Sequence, residues 1–150
     1  MSDDTTAHGF FSFDLSACLP EGRLLSEAVF NVYQAGTSGN PDSLGSMILE
    51  HVSYGNSLSR SVYDTPALAT MGNFDLLPFT STGRVFLDVT SAVQDDLANR
   101  ATRGNRSQFR LRFTNFSNFD GNYDYVAFEA ANPARSRDFV PFIQANYLIP

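Results

Sequence analysis

The alternation of apolar and polar positions along the chain reads as a series of short strands with one helix among them. The clearest case is Val85 to Leu97. Val85, Leu87 and Val89 share a face at a period of two, and from Thr90 onward Val93 and Leu97 share a face at helical spacing. Thr90 or Ser91 is placed to cap the free amides of the helical turn, and Ser91 with Gln94 fits a Ser-x-x-Gln capping box. Upstream, Phe11, Phe13 and Leu15 form the inward face of a first strand. Leu19-Pro-Glu-Gly-Arg23 is turn chemistry, and Ala28, Phe30 and Val32 face inward from the next strand. Residues 35–46, rich in Gly with Pro41, Asn40 and Asp42, predict a loop, and Met47 to Val52 a strand.

Residues 53–83 carry Gly, Pro, Ser, Thr and Asn throughout, which predicts loops with short strands around Leu58–Tyr63 and Phe74–Phe79. Loops of this length are often functional, so the region is a candidate binding surface. Beyond the helix, Phe109, Leu111 and Phe113 alternate with Gln108, Arg110 and Arg112, the pattern of a strand with one face in water. A polar loop with three aromatics, Thr114 to Asp124, leads to a strand with Val126, Phe128 and Ala130 inward. In the last strand Ile143, Ala145 and Tyr147 share one face. Seven or eight strands with a single helix predict an all-β fold, an antiparallel β-sandwich of jelly-roll type with one short helix. Residues 1–9 read as a polar N-terminal arm and 10–150 as a single β-sandwich domain.

Three stretches are similar to the DNRLRE-type jelly-roll modules, relatives of carbohydrate-binding modules on secreted proteins. They are Phe13-Asp-Leu-Ser with Ser26-Glu-Ala-Val-Phe-Asn-Val-Tyr33, Leu87-Asp-Val-Thr-Ser-Ala-Val93, and Pro141-Phe-Ile-Gln-Ala-Asn-Tyr147. The resemblance covers most of the chain and implies the same sandwich, with carbohydrate binding as an implied activity. Modules of that family usually carry two further strands ahead of the segment matched by Phe10–Leu15, where this sequence has nine polar residues. An edge without those strands offers unpaired backbone groups to another chain, so self-association or docking on a larger assembly is expected.

Composition narrows the function classes. The 150 residues suffice for one core, and fourteen Phe and six Tyr with no Trp suit pleated surfaces. A net charge of -6 disfavours nucleic acid and anionic membranes, which select basic patches. All ten basic residues are Arg, which reads either as codon bias of a GC-rich genome or as suited, through the planar guanidinium, to interfaces that bury ion pairs. No run approaches the roughly 20 apolar residues of a membrane helix. The lone Cys18 excludes an intrachain disulfide and reads as a buried small apolar residue. Met1 to His8 is acidic and polar, unlike a secretory signal. With Met1 as initiator, this implies an excised domain or a virion protein released by lysis.

For catalysis the sequence offers little. His8 and His51 are the only histidines to serve as bases. No Gly-x-Ser-x-Gly, phosphate-loop, dinucleotide or His-Glu-x-x-His pattern occurs, and no catalytic residue is assigned. Asp95 and Asp96 are expected on the exposed side of the helix, with Asp88 facing away from the core. Asp120-Gly-Asn-Tyr-Asp124 resembles the opening of a calcium loop but has Ala131 where the closing Glu would stand, so calcium is the one cofactor considered and no metal ligand is assigned. The binding candidates are Phe116, Phe119, Asp120, Tyr123 and Asp124. Asp3, Asp4, Thr5, Thr6 and His8 of the arm are candidates for partner contact. The leading expectation is a non-catalytic assembly subunit of a virion surface, of capsid-decoration, tail or fibre type, associating with itself or with other structural proteins. The alternative is an extracellular carbohydrate-binding module.

Overall fold

The computed structural model describes residues 7–16, 23–78, 81–132 and 137–148. Eight strands and one α-helix follow in the order β1 (Gly9–Asp14), β2 (Leu24–Ser38), β3 (Met47–Val52), β4 (Ala69–Asn73), β5 (Gly83–Asp88), α1 (Thr90–Ala98), β6 (Arg106–Phe113), β7 (Tyr125–Phe128) and β8 (Phe142–Leu148). They form two antiparallel sheets. One has the order β1-β6-β3-β4. In the other, β2 runs down the middle with β5 on one side and β7 and β8 on the other. The chain changes sheet at most connections, β3–β4 being the hairpin that stays in the first sheet, so the sandwich is wound as in a jelly roll. Among the described residues no helix is long and apolar enough to cross a membrane.

Phe30 of β2, fully buried, is the hub between the sheets. Its ring meets Phe11 at 5.2 Å, Phe109 at 5.5 Å, Phe74 at 5.9 Å and Phe13 at 6.0 Å, mostly edge to face. Leu49, Val85, Val89, Val93 and Leu111 fill the space around it. This use of phenylalanine accounts for much of the aromatic content: the alternation placed these rings on inward faces, and the second sheet brings them together.

Four expectations are corrected. The helix starts where the sequence places it, but its N-cap is Val89 without a side-chain cap bond. Thr90 Oγ1 instead accepts the Ala28 amide at 2.9 Å, the Asp88 carboxylate accepts the Thr90 amide at 3.0 Å, and Gln94 donates to the Leu25 carbonyl. The capping box thus gives way to contacts that tie α1 to β2. Leu58–Tyr63 is no strand: Arg60–Val62 is a 3-10 turn lying over the outer face of β6. The strand expected at Phe74–Phe79 stands earlier, at Ala69–Asn73, and Phe74 leaves it to enter the core. Finally, β2 extends to Ser38 because Gly36, Thr37 and Ser38 pair with Ala127, Val126 and Tyr125, a contact across some ninety residues that local loop composition does not reveal. Cys18 and the Pro20-Glu-Gly turn lie outside the described residues.

Candidate functional site

The strand β6 carries two sets of side chains, and both are covered. Phe109 and Leu111 point into the core. Gln108 and Arg110, expected in water, are buried on the opposite face. The segment that follows β3 closes over them. Gln108 Oε1 accepts the Tyr54 amide at 2.7 Å and its Nε2 donates to the Gly55 carbonyl at 2.6 Å, while Arg110 donates to the carbonyls of Tyr63 and Thr65 at 3.0 and 2.7 Å. Glu50 of β3 lies beside Arg110, Nη2 to Oε2 at 2.9 Å, and its other oxygen accepts from Arg112 Nε. Burial pushes the Glu50 carboxyl up, but the hydrogen bonds and charges of the two guanidiniums outweigh that and hold it below its ordinary value.

One carboxylate therefore balances two arginines, and both arginines line a cleft of ≈ 950 Å³ that opens along β1, the outer end of β6, the loop 114–124 and β7. Phe11, Leu111, Phe113 and Phe128 give it apolar depth. Its rim carries Phe116, Tyr123 and Tyr125, exposed by 60%, 79% and 51%, together with Asn115 and Asn122. His8 also lines it, stacked face to face on Tyr63 at 3.8 Å. Partial burial, then the charge of Arg110, lowers the His8 pKa, and its Nδ1 is enclosed without a hydrogen-bond partner.

The structure brings together some of the residues expected at a site. Phe116, Tyr123, Asp124 and His8 all line the cleft, whereas Phe119, with a positive φ of 58°, and Asp120 do not. Asp3, Asp4, Thr5 and Thr6 lie outside the described residues. The two loop carboxylates shape the loop itself. Asp124 accepts the Asn40 amide at 2.6 Å and Asn118 Nδ2 at 2.7 Å, and Asp120 accepts the Asn122 amide at 2.8 Å and Asn118 Nδ2 at 3.1 Å. Gly39, at φ +69°, passes directly under Asp124, where a Cβ would collide with the carboxylate and with the Tyr123 carbonyl. This latch presents Tyr123 and Phe116 at the rim.

A second polar cluster was not legible as such. Asp96 is 1% exposed, which corrects the placement of both helix carboxylates toward solvent; Asp95 alone faces water. Asp96 falls on the stripe formed by Val89, Ala92 and Val93, a spacing that could have revealed its burial. His51 Nε2 lies 2.9 and 2.8 Å from its two oxygens, Ser107 Oγ donates to Oδ2 at 2.6 Å, and Arg103 Nη1 reaches Oδ1 at 2.7 Å and Asp95 at 2.5 Å. With Nε2 directed at a carboxylate, His51 serves as donor there. His51 and Ser107 both contact Asp96, so the cluster sets no base on a nucleophile. His51, Asp95 and Asp96 come close enough to share a metal ion, but Arg103 already supplies the cation between the two carboxylates.

No protein-family model matches the chain, and no curated protein matches it in sequence.

Proposed function

We propose that this protein is a non-catalytic carbohydrate-binding module that holds a glycan along the cleft between β1, β6, β7 and the loop 114–124. The observation that carries the reading is the cleft itself, apolar in its depth and rimmed by three exposed aromatic rings beside amide and guanidinium groups. Aromatic faces stack on the C–H faces of sugar rings, while Asn and Arg donors serve the hydroxyls, an arrangement of apolar walls and a few directed polar groups typical of ligand sites. Among the described residues, half of the fourteen phenylalanines lie in or against the core, and at the rim of the cleft Tyr123, Tyr125 and Phe116 stand exposed to meet ligand.

The test is retention on a panel of immobilised neutral and acidic polysaccharides, followed by calorimetry with oligosaccharides of the best. Wild type should bind, and Tyr123→Ala or Phe116→Ala should weaken binding by about fivefold each, in keeping with about 1 kcal/mol per lost aromatic contact. Both variants should keep the wild-type melting temperature, because the side chains are exposed. Failure to bind any member of the panel would remove the proposal.

A second reading, an assembly subunit of a virion surface, draws on a different face. On the outside of the second sheet, Leu24, Phe86 and Leu148 stand 71%, 66% and 58% exposed, more apolar side chain than a sheet kept in water carries at no cost. Light scattering over a range of concentrations distinguishes this reading: a defined oligomer favours it, and a monomer at all concentrations speaks against self-assembly.

A further inference from the structure

We propose that β5 is a self-pairing edge, through which two copies of this chain join their second sheets into one continuous sheet. The proposal deepens the assembly reading and rests on it. It is independent of the cleft.

The backbone supplies the template. β5 ends the sheet, and its far side pairs with no other described strand. Val89 donates to the Ala28 carbonyl at 2.8 Å, and hydrogen-bonded pairs recur at every second residue of the β2–β5 register. Val85 and Leu87 are therefore the residues bonded to β2. On the opposite side of β2, the Glu129 amide donates to the Tyr33 carbonyl at 2.9 Å, consistent with the same alternation. The amides and carbonyls of Arg84, Phe86 and Asp88 thus point away from the sheet, an unpaired row of the kind that accepts a further strand.

The side chains select the occupant. Arg84, Phe86 and Asp88 alternate along the outer face. Antiparallel pairing of β5 with a second copy about a two-fold axis at Phe86 places Phe86 opposite Phe86 of the second copy. The same register sets Arg84 against Asp88 at both ends. Opposite charges and an aromatic pair at directly facing positions each favour such a pairing, and a two-fold axis satisfies both ends with one sequence. The Arg84 guanidinium is already bonded to the carbonyls of Val140 and Asp138 and lies 4.8 Å from the Phe142 ring, so it contributes its charge to this register rather than a new hydrogen bond.

The surrounding face continues the match. Within one copy, Phe86 of β5, Asn31 of β2 and Phe142 of β8 face one another directly across three strands. The proposed dimer extends this row across the axis into the second copy and covers Phe86, the most exposed aromatic on that sheet.

The experiment is sedimentation equilibrium of the full chain from about 5 µM to about 500 µM, a range that brackets a contact of one strand edge. Two variants accompany the wild type. Phe86→Pro removes only the outward amide and leaves the bonds from Val85 and Leu87 to β2, an edge position where proline is tolerated. Phe86→Lys places two ammonium groups at the axis and is exposed in the single chain. Wild-type dimers whose dissociation constant rises at least about tenfold in Phe86→Lys as well as in Phe86→Pro, with circular dichroism unchanged, support the proposal. A wild type that stays monomeric over the whole range overturns it and the self-assembly reading together. A dimer unaffected by Phe86→Lys overturns pairing through β5 while leaving association through another edge, and so leaves the assembly reading in place.

Discussion

Glu50 and His51 are neighbours on β3, yet each stands in a different buried ion cluster on opposite faces of the same sheet. The His51 cluster is sealed under α1. Asp96 receives hydrogen bonds from His51, Ser107 and Arg103, so its charge is met by donors on both oxygens. The Glu50 cluster opens on the cleft. Its one carboxylate is shared between two arginines; Arg110 also donates to the Tyr63 and Thr65 carbonyls and Arg112 to that of Phe113, Arg110 Nε is enclosed without a partner, and the Arg112 side chain stays 31% exposed. A closed, fully paired network fixes the position of an element, and a partly open one with surplus donors can meet a ligand. The first ties the helix to the sheet; in the proposed reading, the arginines of the second supply the polar part of the binding surface.

The largest expected effect is on the sealed side. Asp96→Ala leaves His51, Arg103 and Ser107 without their common acceptor, and removing one partner of a buried ion cluster costs about 3–5 kcal/mol. The melting temperature should fall by about 10–15 °C, while glycan binding measured well below the new midpoint stays unchanged. A variant that melts like wild type would mean that the cluster does not hold α1.

On the open side, acid is the sharper tool. The Glu50 pKa lies below its ordinary value of 4.5, so the unfolded chain binds this proton more readily than the folded one. Its contribution is therefore complete above pH 4.5 and is lost as pH falls through the lower, folded value. Glu50→Gln should show a smaller loss of stability on acidification than wild type, and should bind glycan more weakly even at neutral pH because both arginines lose their anchor. Parallel acid titration curves for the two proteins would contradict the role given to this ion pair.

These two clusters also mark how far the sequence could be read. Alternation in β2, β3, β5 and β6 located the strands and most inward residues, because each reports its own face. It could not report what covers the other face. Arg110 and Gln108 look like solvent residues until the segment from Tyr54 to Thr65, whose composition indicates only a loop, folds across them. Asp96 looks like one of two exposed helix acids until β3 and β6 bring His51 and Ser107 to it from 45 and 11 residues away. Of the three loop aromatics that stand out in the sequence, Phe116 and Tyr123 line the cleft and Phe119 does not, and their grouping with His8 and Arg112 depends on pairing between distant strands.

A smaller effect separates the shape of the cleft from its chemistry. Gly39→Ala introduces a Cβ against Asp124 in a backbone region that costs an L-residue about 1–2 kcal/mol. Because the Asp124 latch, and not the core, absorbs the clash, the melting temperature should fall by only a few degrees whereas binding falls at least as far as in Tyr123→Ala. Unchanged binding would show that the loop keeps its shape without the latch.

The smallest effect tests whether the open side senses pH through His8 as well. Its pKa lies below 6.5 because burial and the neighbouring Arg110 disfavour its charged form. In the interval between the folded value and 6.5 the unfolded chain binds more protons, so stability increases with pH there and falls on acidification. Protonation would also set a third positive charge beside Arg110 and Arg112 and weaken the stack on Tyr63. His8→Phe retains an aromatic partner for Tyr63 and removes the titration. Melting temperatures between about pH 5 and pH 7.5 should then vary less in the variant than in wild type. Asp96→Ala offers the contrast, since it should lower the melting temperature while retaining the contribution of His8 to the pH dependence. If His8→Phe instead follows the wild-type profile point for point, His8 packs against Tyr63 without sensing the charge beneath it, and acid sensitivity on this face belongs to Glu50.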